Sequence, residues 1–286
     1  MSDHTIAKEI TELKEAYALF SPLTNMPYTE CEPENYWDQV LMYASREDAD
    51  AAVKEYEEKG IRTAVREFKT LEVYVPVNPA KPEGEKKKMY LNQVRQHLGV
   101  LPFMGVNAVG YKPAGAAMVT IELTEILPKG FEKKVEENGF YQPTLQLTGV
   151  YLMQEARRKK EFVDMKHIQE LDEEFSSNLV KSRLFIAVLP PEGHEKDPQL
   201  NLKECRMPYL KHQNGEKYFP VFSDVWEFQK YAQNNKTLRP IQVPFRDLPK
   251  FWVKDAQAYM MNPMGISVPL KQEMIPKLME RFGGME

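Results

Sequence analysis

An α+β fold of two related units, each a mixed β-sheet packed with helices and joined by a helical connector, is what this sequence predicts. Three observations carry that prediction. The chain has 286 residues, 42% of them hydrophobic and 28% charged, which is a globular composition long enough for more than one core. Short β-prone runs rich in aromatic residues alternate with stretches whose apolar residues recur at helical spacing. One unit also recurs: "QVLMYASREDADAAVKEYEEKGIRTAVREF" (39–68) lines up with "YFPVFSDVWEFQKYAQNNKTLRPIQVPF" (218–245). Ser45 then matches Ser223, Ile61-Arg62 matches Leu238-Arg239, and Phe68 matches Phe245.

The repeat extends in both directions. "MPYTE" (26–30) meets "MPYLK" (207–211), "FMGVNAVGY" (103–111) meets "YMMNPMGIS" (259–267), and "ILPK" (126–129) answers "MIPK" (274–277). The first copy carries an extra segment, "EVYVPVNPAKPEGEKKK" (72–88), expected to add a strand and a polar loop. The expected division is a first unit over 1–138, with an N-terminal helix and this insertion, a helical connector over 139–180, and a second unit over 181–286.

In chain order, Ile6, Ile10, Leu13, Ala16 and Tyr17 recur at helical spacing and predict an N-terminal helix, without the uninterrupted apolar core of a signal peptide. Ser45 and Asp48 form a capping-box-like helix start, with Asp in place of the usual Glu. In the connector, Leu145, Leu152, Ile168, Leu171 and Phe175 are placed to pack helices on the units. The loop 190–200, rich in proline and charge, follows. Asn214-Gly215, which readily adopts φ > 0, predicts a tight hairpin. Ser223 and Asp224 are N-cap candidates for a helix whose inner face is Val225, Phe228, Tyr231 and Ala232. Pro240 and Pro244 lack ladder donors and push "LRPIQVPF" to a sheet edge. A short helix around "LPKFWVKD", strands "AYMMN" and "ISVPL" around a Pro263/Gly265 turn, and an amphipathic helix closed by Gly283-Gly284 complete the chain.

Three segments, "KYFPVFSDVWEFQKY", "VPFRDLPK" and "AYMMNPMGISVPL", in this order and spacing, resemble the SseB family, the enhanced serine sensitivity proteins of bacteria. The resemblance is strongest over 207–282 and extends faintly through the repeat to 26–129. It implies a bacterial cytoplasmic α/β protein, two tandem SseB-like units, and no catalytic residues, because the family is named for a phenotype. The first copy departs from the pattern, with Asn107-Ala108 where the second has Asn262-Pro263.

Composition narrows the function classes. A net charge of −4 offers no basic excess for nucleic acid or anionic lipid, and Lys86-Lys87-Lys88 reads as part of a solvated loop. No run approaches the length of a bilayer span. Two cysteines, Cys31 and Cys205, make no disulfide framework, and both are expected buried or at a strand edge in a reducing cytoplasm. The glycines do not form a phosphate cradle. His194, Cys205 and His212 flank one stretch but read as separate surface residues, so neither metal nor cofactor is expected. Capping accounts for Ser223 and Asp224 better than a nucleophile does, and Trp226 and Trp252 are the aromatic residues that would anchor an interface.

What remains is a non-enzymatic interaction or regulatory protein, motivated by the repeat and the Met-rich C-terminal segments, with a protein partner or self-association through a sheet edge. The alternative is a small-molecule binder or enzyme with its site in a groove between the units. The candidate contacts are Asn262, Pro263, Met264 and Gly265, with Asn107, Arg62 and Arg239 as polar residues recurring in both copies.

Overall fold

A computed structural model describes residues 3–78, 83–195, 197, 199–233 and 235–284. The chain separates into two compact units, one formed by Met1–Pro22 with Pro27–Lys134 and the other by Leu23–Met26 with Val135–Glu286.

The first unit contains α1 (Asp3–Glu12), β1 (Glu15–Ser21), Pro27 of β2 (Met26–Pro27), β3 (Thr29–Cys31), β4 (Asp38–Tyr43), α2 (Arg46–Glu58), β5 (Ala64–Pro76), β6 (Lys86–Asn92) and α3 (Gln93–Val100). A 3-10 turn (Leu101–Met104), β7 (Ala108–Lys112), β8 (Val119–Glu122), α4 (Leu123–Ile126) and the start of α5 (Phe131–Glu136), up to Lys134, complete it. Its sheet runs β6-β5-β1-β4-β7-β8, with β2 beside β1 and β3 beside β4. The β4–β7 pair is parallel and the other pairs along that order are antiparallel.

α2 starts where Ser45 Oγ accepts the Asp48 N–H at 3.3 Å, satisfying one of the orphan donors of its first turn. Its inner residues Ala49, Ala52 and Val53 pack on Tyr17, Leu19, Leu41 and Tyr43. The N-terminal helix ends at Glu12, earlier than its spacing suggests, and Ala16 and Tyr17 belong to β1. A short apolar run fits either period, and the pairing of β1 with both β4 and β5 decides the matter. The insertion forms the β5–β6 hairpin, so Lys86–Lys88 are strand residues and not loop. Residues 79–82 of the expected polar loop lie outside the described residues.

The second unit contains α6 (Pro143–Ala156), a 3-10 turn (Lys160–Phe162), α7 (Met165–Lys181), β9 (Arg183–Val188), β10 (Leu210–Lys211), β11 (Lys217–Phe222) and α8 (Val225–Ala232). β12 (Arg239–Pro244), a 3-10 helix (Phe245–Phe251), β13 (Ala256–Met261), β14 (Val268–Leu270) and α9 (Met274–Phe282) follow. Its sheet runs β12-β9-β11-β13-β14, with β10 beside β11. The β11–β13 pair is parallel and the other pairs just named are antiparallel. In strand order and relative direction, β12-β9-β11-β13-β14 is the same arrangement as β5-β1-β4-β7-β8 of the first unit.

The Asn214-Gly215 turn joins β10 to β11, with Gly215 at φ 88°, and the proline-bearing β12 lies at the sheet edge. Val225, Phe228, Tyr231 and Ala232 of α8 pack with Phe185, Ala187 and Phe222. In the connector region Leu145, Leu152 and Phe175 are buried, while Ile168 and Leu171 are half-buried. Among the described residues no helix is long and apolar enough to cross a membrane.

Candidate functional site

The candidate turn of the second unit rests on a buried polar cluster. β13 ends at Met261, and Asn262 follows in the left-handed region, φ 48°, which asparagine tolerates better than most residues. Its backbone N–H donates to Val221 O at 2.8 Å, and its carbonyl accepts from Gly265 N at 2.9 Å and Ser267 N at 3.0 Å. Its side-chain Oδ1 accepts from Ser223 N at 2.8 Å, while Nδ2 donates to Ser223 Oγ at 2.9 Å and Gln146 Oε1 at 3.0 Å. Asn262 has no solvent exposure, and each of its donors and acceptors is used.

Gln146, on the buried face of α6, joins this residue to two carboxylates. Its Nε2 donates to Glu227 Oε1 at 2.9 Å and to Asp224 Oδ2 at 3.2 Å. Asp224 caps α8 by accepting Glu227 N at 2.9 Å, and it accepts Ser223 Oγ at 2.7 Å. Lys230 Nζ donates to Glu227 Oε1 at 2.5 Å and is the one cation among these contacts. Asp224 and Glu227 are each 1% exposed. Burial, and next the negative charge of Glu227, push the Asp224 carboxyl from 3.8 up to about 6.

Gly265 closes the turn against this cluster. A Cβ there would lie 3.1 Å from Glu227 Oε2 and 3.4 Å from both Glu227 Oε1 and Met26 Sδ. Other contacts of the same unit fix the surrounding backbone. Asn25 Nδ2 donates to Met264 O at 3.1 Å, and Arg157 donates to Ser267 O at 2.8 Å and to Leu23 O. Met264 is 40% exposed and Pro263 half-buried, so the turn has a locked base and an open tip.

The other candidate residues lie apart from this cluster. Asn107 precedes β7, whereas Asn262 follows β13, so the two asparagines stand at opposite ends of corresponding strands. Register gives the reason: Tyr43 pairs with Lys112 and Val221 with Met261, so Pro113, not Asn107, stands where Asn262 does. Asn107 is exposed and uses its backbone to tie Asp38 O and Leu123 N. Arg62 is exposed at the entry to β5 of the first unit. Arg239, opening β12 of the second, donates to Glu195 O at 2.8 Å and Asp197 O at 3.2 Å.

The residues weighed for metal or nucleophilic chemistry have local partners. His194 contacts Asp197 at 2.7 Å, Cys205 Sγ reaches Asn201 O, and His212 contacts Asn214 at 2.9 Å. Among the described residues no group of three or more His, Cys, Asp or Glu is arranged to hold a metal ion. Cys31 is exposed at the end of β3, a strand paired to β4 at the side of the sheet, which is the strand-edge alternative of the expectation. Trp252 packs edge-on against Tyr259 with centroids 5.0 Å apart, while Trp226 is 36% exposed.

Sequence reasoning missed Gln146 and Glu227. The available signal was an amide inside the uncharged "TLQLTGV" of α6, and a Glu three residues after an Asp N-cap.

Residues 163–276 match the family described as SseB protein N-terminal domain. This match begins before the stretch that carries the sequence resemblance and takes in α7 and β9. Two solved structures are similar to the chain. One is Anabaena Tic22 (protein transport), with 9% identity over 87% of this chain and 84% of that one at a TM-score of 0.19. The other is Tic22 from Plasmodium falciparum, with 11% identity over 98% of each chain at a TM-score of 0.19. No curated protein matches the chain.

Proposed function

On the premise that residues 163–276 belong to the SseB family, we propose that this chain is a bacterial cytoplasmic protein-interaction or regulatory protein without enzymatic activity. Its second unit then touches a partner through the tip of the Asn262–Gly265 turn. The observation that carries this reading is how the buried polar groups are used. Ser223 Oγ donates to Asp224 and accepts from Asn262, and Gln146 spans both carboxylates. These groups hold a backbone shape, and what that shape presents to solvent is Met264. A flexible, polarizable thioether on a rigid mount suits a protein contact.

Duplication of one unit belongs to the same proposal. It is supported by the strand order common to both sheets. Affinity capture with the whole chain tests the reading. A discrete partner is expected with the natural sequence and lost with Met264→Glu, while Met165→Glu, at another exposed methionine, retains it. Identical captures with all three chains, or no partner with any, would overturn it.

A second reading, a small-molecule site, is favoured by one observation. A cleft of about 500 Å³ in the second unit has Val180, Phe245, Met279 and Phe282 on its walls and Lys181, Arg183 and Arg246 around it. Its size is that of a ligand pocket, and its chemistry suits an anion with an apolar body. Stabilisation of the chain by amphipathic carboxylates, abolished by Arg246→Glu, is expected on this reading. Absence of any thermal shift across such compounds would remove it.

A further inference from the structure

The β5–β6 hairpin of the first unit continues beyond the sheet that anchors it. β1 pairs with β5 from Ala64 to Lys69, and from Thr70 onward β5 pairs with β6, from Thr70↔Asn92 to Pro76↔Lys86. The register sets Leu71 opposite Leu91 and Val73 opposite Met89 on one face, with Glu72 opposite Tyr90 and Tyr74 opposite Lys88 on the other. Both faces reach solvent: Leu71 is 39% exposed, Met89 44%, Tyr74 61% and Tyr90 67%. A two-stranded ribbon buries little of its own apolar surface and gains stability when a further strand covers it.

The outer edge of this ribbon is open to such a strand. β6 ends the sheet, runs for seven residues and contains no proline, so alternate N–H and C=O groups face outward. The other terminal strands are short or blunted. β8 has four residues, β14 has three including Pro269, and β12 carries Pro240 and Pro244.

Charge selects what fits. β6 contributes Lys86, Lys87 and Lys88 and no acid of its own, and among the described residues Lys88 pairs with Glu72 at 2.6 Å. A second copy of β6 carries no acid and so supplies no counter-charge to Lys86–Lys88 in any register. An acidic strand complements them, and the apolar end of β6, Met89-Tyr90-Leu91, suits apolar neighbours. We propose that β6 accepts an extended segment of a partner protein as an added strand, acidic beside Lys86–Lys88 and apolar beside Met89–Leu91. Backbone hydrogen bonds hold the segment, and the two halves of β6 fix its register. This inference rests on the protein-interaction reading but uses a surface other than the Met264 turn.

The test uses the whole chain and a fluorescent peptide with three acids followed by Val-Phe-Val, compared with the same peptide carrying lysines for the acids. Anisotropy is expected to show binding of the acidic peptide, weakened about tenfold by Lys86→Glu with Lys87→Glu or by raised salt. The milder pair Lys86→Gln with Lys87→Gln is expected to weaken it less, which separates loss of charge from loss of fold. Amide hydrogen exchange is expected to slow within residues 86–92. Equal binding of the lysine peptide, indifference to both variant pairs, protection elsewhere, or no binding would each overturn the proposal. If the peptide fails while Met264→Glu still releases a partner, the strand proposal falls and the interaction reading stands; if both fail, both fall.

Discussion

Asn262 concentrates the account at the scale of one residue. It is fully buried, sits at φ 48°, and ties Ser223 and Gln146 to the end of β13. Asn262→Ala leaves Ser223 N and Gln146 Oε1 without a partner and places a Cβ residue in a left-handed conformation. The expected loss is about 3 kcal/mol in urea unfolding. Asn262→Gly keeps the conformation easy and is expected to lose about 1 kcal/mol less. Equal stability of the natural chain and Asn262→Ala would show that the turn does not depend on these bonds. The asparagine itself was legible in the sequence as a turn residue. Its partner was not, because Gln146 lies 116 positions away and nothing local marks the pair.

Asp224 supplies a pH dependence at the same scale. Its carboxyl titrates near 3.8 when exposed and at about 6 in the folded chain, so the folded state holds its proton more tightly. Its contribution to stability is therefore complete below the lower value and is lost as pH rises through the higher one. Asp224→Asn keeps a capping oxygen but cannot titrate. Relative to that variant, the natural chain is expected to lose about 3 kcal/mol between acid and neutral pH. Urea midpoints measured in parallel check this, and a constant difference between the two proteins would contradict it.

Among the elements, the place of α6 depends on a glycine. A Cβ at Gly149 would fall 2.7 Å from Ile266 Cδ1 and 3.1 Å from Phe175 Cε2, both buried side chains. Gly149→Ala is expected to cost roughly 1–3 kcal/mol, despite the higher helix propensity of alanine. A more stable variant would show that α6 can move outward freely. In the first unit, His97 of α3 is buried and stacked on Phe68 at 4.4 Å. Burial, and next the charge of Arg66, lower its titration from 6.5 to about 3. Its contribution is present above the higher value and fades as pH falls toward the lower. His97→Phe is expected to reduce acid sensitivity in that range, read from hydrogen exchange of the first unit.

Helices with long apolar periods and turns with Asn-Gly or Ser-Asp chemistry were legible, as α2, α8 and the β10–β11 hairpin illustrate. Ala16 and Tyr17 fit the helical spacing set by Ile6 and Ile10, yet they belong to β1. Its strand state comes from partners distant in sequence. The asparagine correspondence failed for a related reason: aligning similar letters shifted β7 against β13, whereas pairing with β4 and β11 fixes the true register.

For the whole molecule, one strand arrangement occurs in both sheets, and each version has its own exposed feature. The first has the β5–β6 ribbon; the second has the Met264 tip on its polar base. The central claim is that this tip meets a protein partner. It is tested most directly by placing a photo-crosslinking residue at position 264 in the whole chain, with position 165, an exposed methionine on α7, as control. Irradiation in cells is expected to yield a discrete protein adduct from 264 and none of that mass from 165. The same adducts at both positions, or none at 264, would contradict the claim.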